Sequence, residues 1–131
     1  MTIFMVIFLT LGHSKDFVIQ ILKKGGVLGF SEEIILINQT ITYIDKRKDL
    51  RISAKIGKNN LKLIRKIAKK LLQKDEAYGK TYPDCIIYEI RVNEVKKITY
   101  IPGPEMREKD LDELIELFYK FVQSDAKEKR R

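Results

Sequence analysis

The sequence predicts an α+β domain, with an antiparallel sheet of five to six strands and two main helices packed on one face. Apolar residues recur at every second position through the first half of the chain, which is typical of strands. The spacing changes to about 3.6 residues in two later segments, 58–74 and 110–123, as amphipathic helices require. Short polar connections between the strands favour hairpins, and therefore antiparallel pairing.

Length and composition indicate one globular domain. The chain has 131 residues, of which 44% are hydrophobic and 34% are charged. This composition supplies enough aliphatic residues for one core, and the chain is too short for two domains. Twenty-six Lys and Arg residues outnumber eighteen Asp and Glu residues, so the formal net charge is +8. This excess fits either an acidic partner or a solvated, lysine-rich surface.

Three segments are distinguished along the chain. The first eleven residues, MTIFMVIFLTL, are almost wholly apolar. They are fewer than the roughly 20 residues that a membrane-spanning helix needs, so we predict no membrane span. Residues 1–15 are either a signal-like segment or an apolar strand or extension; a cytoplasmic location is favoured, and secretion follows if they act as a signal. Residues 16–123 are the single domain, and residues 124–131 are a basic tail.

The first half of the domain predicts four strands: 16–23, 32–37, 40–44 and 50–56. Gly25, Gly26 and Gly29 turn the chain between the first two strands, because glycine adopts a positive φ without strain. Asn38 marks a hairpin turn, and the polar residues 45–49 mark another. The last of these strands has the clearest alternation, which predicts four inward residues: Leu50, Ile52, Ala54 and Ile56.

The second half predicts a helix, two strands and a second helix. The helix 58–74 has an apolar stripe made of Leu61, Ile64, Ile67, Ala68, Leu71 and Leu72. A loop with a Tyr-Gly pair follows, and the strands 85–92 and 97–101 form a hairpin that turns at Asn93 and Glu94. Asp110 followed by Glu113 resembles a capping box at the start of the helix 110–123.

The usual catalytic and metal-binding groups are missing from the sequence. Cys85 is the only cysteine and His13 the only histidine, so we predict no disulfide, no zinc cluster and no cofactor. The glycines lack the spacing of nucleotide-binding loops. Glu32 and Glu33 are adjacent on a predicted strand and point to opposite faces, so they make a poor acid-base pair. We therefore predict a protein that is not an enzyme.

The order of these features resembles the emfourin family, small proteins that inhibit thermolysin-like metallopeptidases such as protealysin. The resemblance covers residues 16–123 and includes the strand VIQI leading into GGVLGFSEEIIL, the strand LRIS, the helix NLKLIRKIAKKLL and the Tyr-Gly loop. It implies a non-catalytic inhibitor that occludes the active site of a metallopeptidase partner. The implied partner-binding residues are those of the glycine corner: Gly25, Gly26, Gly29 and Phe30.

The basic helix supports an alternative function, nucleic-acid or polyanion binding. Its candidate residues are Lys62, Arg65, Lys66, Lys69 and Lys70. Like charges four residues apart on a helix cost about 0.2 to 0.5 kcal/mol per pair, so such a surface needs an explanation. Either the acidic second helix neutralises part of it, or an external polyanion does. The basic face carries no aromatic residue, so nucleic acid would be bound through its backbone, nearly independently of sequence. An acidic protein is a third candidate partner.

Overall fold

The computed structural model describes the backbone of residues 17–129 and the side chains of residues 17–123. The predicted α+β class is confirmed, with one sheet and two helices among the described residues. The strands are β1 (Val18–Gly25), β2 (Phe30–Ile37), β3 (Thr40–Asp45), β4 (Leu50–Lys55), β5 (Ala77–Tyr78), β6 (Ile86–Val92) and β7 (Lys96–Tyr100). The helices are α1 (Lys58–Leu71) and α2 (Lys109–Lys129). The predictions for residues 1–15 lie outside the described residues.

The sheet has seven strands in the order β4-β3-β2-β1-β6-β7-β5, one more strand than the prediction allowed. Five neighbouring pairs are antiparallel, as predicted, but β5 pairs with β7 in parallel, which makes the sheet mixed. β5 has only two residues, too few for an alternating pattern to be visible in the sequence. It forms because the Tyr-Gly loop lies beside β7, where the amide of Ile101 donates a hydrogen bond to the carbonyl oxygen of Tyr78 at 2.8 Å.

One face of the sheet carries the core. The register aligns Ile21 of β1 with Ile34 of β2 and with Ile90 of β6, and all three side chains are at most 1% exposed. Buried residues of both helices, including Ile64 of α1 and Phe118 of α2, belong to the same cluster, so both helices pack on this face. Burial of these apolar side chains is the main source of stability.

Three details differ from the predictions. Leu50 was expected to point inward, but it is 40% exposed because it begins the edge strand β4 and has a neighbouring strand on one side only. The backbone of α2 continues to Lys129, so the helix includes most of the segment predicted as a basic tail. The predicted helix 58–74 ends earlier, at Leu71.

The predicted turns at Asn38 and Asn93 are confirmed, and both hold the beginning of β1. Their φ angles are 55° and 49°, a left-handed conformation that Asn tolerates better than most residues. The side-chain Oδ1 of Asn38 accepts a hydrogen bond from the amide of Phe17 at 3.0 Å, and that of Asn93 accepts one from the amide of Val18 at 2.8 Å. The central strand therefore starts at a fixed position between two turns.

Candidate functional site

The two surfaces that the sequence singled out lie at opposite ends of β1. The glycine turn, residues 26–29, follows Gly25 at the end of the strand, whereas the basic helix α1 lies near Phe17, which precedes it. At about 3.3 Å per residue, the eight residues of β1 separate the two surfaces by about 26 Å. A single small ligand therefore cannot contact both.

Backbone hydrogen bonds close the glycine turn. The amide of Gly29 donates a hydrogen bond to the carbonyl oxygen of Gly26 at 3.1 Å, and the amide of Gly26 donates one to the carbonyl oxygen of Cys85 at 3.0 Å. The φ angles of Gly25, Gly26 and Gly29 are 90°, 79° and 66°, values that other residues rarely adopt. The three predicted glycines are thus required by the backbone conformation of this turn.

The three glycines differ in how much space surrounds them. A Cβ atom on Gly25 would lie 2.5 Å from the carbonyl oxygen of Cys85, which belongs to rigid backbone. One on Gly26 would lie 3.1 Å from Cγ1 of Ile86 and 3.2 Å from Cδ2 of Phe30. Gly29 has no atom within 4 Å of that position, so only its positive φ favours glycine there.

The side chains at the tip of the turn are the ones that sequence reasoning missed. Val27 is 83% exposed and Leu28 is 61% exposed. Phe30, which was predicted to bind a partner, is partly buried instead, and Nζ of Lys23 lies 4.0 Å from the centroid of its ring. Two consecutive apolar residues inside a glycine-rich turn were the available signal, because turn residues are usually polar.

A buried polar cluster lies below the glycine turn. Glu32 and Asp45 are neighbours across β2 and β3, and they are 8% and 5% exposed. The hydroxyl of Tyr119 in α2 donates a hydrogen bond to Glu32 at 2.6 Å, and that of Tyr43 donates to Asp45 at 3.4 Å. Burial, together with the hydrogen bond and charge of Glu32, raises the pKa of Tyr119 above its ordinary value of 10.0. The cluster joins α2 to the turn end of the sheet.

A basic groove of about 540 Å³ lies at the other end, between α1 and the start of β1. Its apolar lining comes from Phe17, Ala68, Leu72 and Val92. Its cations are Lys62, Arg65, Lys66 and Lys69, four of the five residues predicted to bind a polyanion. The guanidinium of Arg65 lies 4.8 Å from the centroid of the Phe17 ring, a cation-π contact. Asn93 is also part of the lining, to which residues 17–123 contribute no carboxylate.

Carboxylates at the start of α2 and just before it neutralise only one side of α1 and the turn that follows α1. Nζ of Lys74 lies 3.0 Å from Asp110 and 3.2 Å from Glu108, and Nζ of Lys70 lies 3.8 Å from Asp110. The hydrogen bond to Asp110 raises the pKa of Lys74. Lys70 therefore belongs to the interface between the helices and is separate from the groove. Five other cations of α1 form no ion pair with any carboxylate of residues 17–123: Lys58, Lys62, Arg65, Lys66 and Lys69.

Among the side chains of residues 17–123, no three of the metal-ligating types (His, Cys, Asp or Glu) come together in a group that could hold an ion. Neither helix of the described backbone combines the length and the hydropathy that crossing a bilayer requires. No protein-family model, curated protein or solved structure matches this chain.

Proposed function

We propose that this protein is a non-catalytic inhibitor that occludes the active-site cleft of a thermolysin-like metallopeptidase with its glycine turn. The observation that carries the proposal is the pair of exposed apolar side chains, Val27 and Leu28, at the tip of a turn held by backbone hydrogen bonds. A rigid loop loses little conformational entropy when it binds, which favours tight complexes. The resemblance of residues 16–123 to the emfourin family supports the choice of partner.

The conformation of the turn explains how it would resist cleavage. Extended peptides bind by pairing their backbone with a strand of the partner. To become extended in this way, residues 26–29 would have to lose the hydrogen bond between Gly29 and Gly26 and the adjacent strand pairing of Gly25 with Phe30. The hairpin therefore favours occupation of the cleft over hydrolysis of the turn.

The test is inhibition of a thermolysin-like peptidase acting on a short peptide substrate. We expect the purified protein to slow the reaction without being consumed, and Val27→Asp to weaken inhibition at least about tenfold, because a charge would be buried in the complex. Val95→Asp is the matched control, since Val95 is 76% exposed on the turn between β6 and β7 and lies away from the glycine turn. Undiminished peptidase activity across a panel of such enzymes, with folded protein, would refute the proposal.

A second candidate function, nucleic-acid or polyanion binding, rests on the basic groove. The unpaired cations do not stabilise their own helix, because Lys58 lies in its first turn and Lys62 is four residues before Lys66. A charged surface that costs stability is expected where an anionic partner compensates it.

Titration with a short DNA duplex tests this function. If the groove contacts phosphates, the logarithm of the affinity falls with the logarithm of the salt concentration, by about 0.9 per contact. The triple variant Lys62→Gln, Lys66→Gln and Lys69→Gln should weaken binding. The control triple variant Lys46→Gln, Arg47→Gln and Lys48→Gln removes the same charge from the exposed turn between β3 and β4. Equal affinities of the two variants would argue against the groove.

A further inference from the structure

We infer that the basic groove binds an acidic, amphipathic helix of a partner protein, which lies along α1 with a row of carboxylates facing the cations of the groove. This inference rests on the second candidate function, because it names the kind of polyanion that the groove binds. Three observations carry it: the spacing of the cations along α1, the apolar side chains beside them, and the covered ring of Phe17.

The cations of the groove form a row along one side of α1. They are Lys62, Arg65, Lys66 and Lys69. At about 100° and about 1.5 Å per residue, they fall within an arc of about 100° and extend over about 10 Å of the helix axis. None of the four forms an ion pair with a carboxylate of residues 17–123. Within that range the row has no compensating charge, so an anionic partner that is itself linear would complement it.

The steps between these cations match the repeat of a helix. Lys62, Lys66 and Lys69 are separated by four and then three residues, which gives steps of about 6 Å and about 4.5 Å along the axis. Carboxylates at i, i+4 and i+7 of a second helix have the same steps. An extended strand presents side chains to one face at equal steps of about 6.6 Å, so it matches the row less well. The spacing therefore favours a helical partner, one of the recurring modes of peptide recognition.

Apolar side chains accompany the row of cations. Phe17, Ala68 and Val92, each at most 8% exposed, form the buried part of the lining. Leu72 also lines the groove, and 38% of its surface is exposed. Exposed ion pairs alone contribute little to affinity, so a specific complex needs an apolar contact as well. An amphipathic helix carries aliphatic residues next to its carboxylates, and these would remove the exposed surface of Leu72 from water.

The groove is less suited to a nucleic acid. The Phe17 ring is 8% exposed and the guanidinium of Arg65 lies 4.8 Å from its centroid, so no base can stack on it. Stacking on aromatic side chains supplies much of the affinity for single strands. A duplex presents mainly phosphates and sugars to a basic row, and these give Leu72 no apolar partner. One acidic amphipathic helix satisfies both the cations and the apolar residues of the lining.

The experiment is a fluorescence-anisotropy titration of the full chain with two synthetic helical peptides. Both contain the same glutamates and leucines on an alanine and glutamine background. In the striped peptide the glutamates repeat at i, i+4 and i+7 with the leucines beside them, and in the permuted peptide the glutamates are spread around the helix. We expect the striped peptide to bind at least about tenfold more tightly, because it alone brings its carboxylates to the whole row. Its affinity should also fall as salt is added.

Two variants, both at exposed side chains, test the two parts of the groove. The groove triple variant (Lys62→Gln, Lys66→Gln and Lys69→Gln) should bind the striped peptide at least about tenfold less tightly, whereas the control triple variant in residues 46–48 should bind it as the wild type does. Leu72→Gln should weaken binding of the striped peptide at least about threefold, because it removes apolar contact. The same variant should bind the DNA duplex as the wild type does, since its charge is unchanged.

The outcomes separate this inference from the proposed functions. Equal affinity for the two peptides, or undiminished binding of the striped peptide by either the groove triple variant or Leu72→Gln, would overturn the inference. Binding of the DNA duplex without binding of the striped peptide would also overturn it and leave nucleic-acid binding intact. Binding of neither would remove both. Inhibition of a peptidase through the glycine turn is independent of all these results.

Discussion

The two ends of β1 differ in whether the charged and polar groups around them have partners within the described part of the molecule. At the glycine turn, the backbone groups of Gly26 and Gly29 and the buried carboxylates Glu32 and Asp45 have hydrogen-bond partners within the molecule, and the side chains of Val27 and Leu28 face outward. At the basic groove, Lys62, Arg65, Lys66 and Lys69 form no ion pair with any carboxylate of residues 17–123. The turn end is therefore suited to rigid, shape-dependent contact, and the groove end to electrostatic contact that depends on salt.

The largest effect that sharpens this contrast is expected from Gly25→Ala. Its Cβ would lie 2.5 Å from the carbonyl oxygen of Cys85, and its φ is 90°. We expect a loss of about 3 kcal/mol in the free energy of unfolding, measured by urea denaturation. Gly29→Ala is the control, since it adds only the cost of a positive φ, about 1 kcal/mol. Equal losses would mean that the contact with Cys85 does not constrain the turn.

The next effect concerns the buried cluster below the turn. Tyr119→Phe removes the hydroxyl that donates to Glu32 at 2.6 Å and leaves a buried carboxylate without that partner. We expect a loss of about 2 kcal/mol in the free energy of unfolding. Tyr82→Phe is the matched control, because its hydroxyl donates to Pro102 at 2.9 Å on a side chain that is 45% exposed, where water can replace it. A comparable loss in both variants would contradict the claim that the buried hydrogen bond from Tyr119 to Glu32 stabilises the protein more than an exposed one does.

Tyr119 in α2 and Tyr100 in β7 predict how stability depends on alkaline pH. Burial raises the pKa of Tyr119, and it raises the pKa of Tyr100 from 10.0 to about 12. The folded protein then keeps protons that the unfolded chain loses, so this stabilisation is complete below pH 10.0 and is lost as the pH rises above it. Denaturation at a series of pH values should show the decline. In Tyr119→Phe the free energy of unfolding should fall less steeply with pH than in the wild type. An identical slope would contradict the contribution of Tyr119 to the pH dependence.

The smallest effects compare Lys74, in the turn after α1, with Lys66, on the groove side of α1. Lys74→Gln removes ion pairs with Glu108 and Asp110 from a side chain that is 24% exposed, and should cost about 1 kcal/mol. Lys66→Gln should change stability by less than about 0.5 kcal/mol, or stabilise the protein slightly, because it relieves repulsion from Lys62 and Lys70. Thermal unfolding of both variants measures the difference. A larger loss from Lys66→Gln would indicate a partner within the chain.

Local patterns were sufficient to predict most elements. The alternation of apolar residues located the long strands, and Asn38 and the glycines of the first turn were predicted because their conformations depend on sterics within a few residues. The apolar stripe of α1 was predicted for the same reason, since a helix presents residues three and four apart on one side.

The sequence by itself thus determined the long strands, the two helices and the uneven charge of this protein, whereas the tertiary structure decided which charged and apolar groups meet. The packing of α2 against α1 distinguishes Lys74, which is ion-paired, from Lys62, which has no ion-pair partner among residues 17–123. The sheet register brings Phe17 and Val92 together in the lining of the groove. The exposure of Leu50 and the short strand β5 were likewise decided by neighbours distant in the chain. Contacts of this kind depend on register and helix position, which no short window of residues encodes.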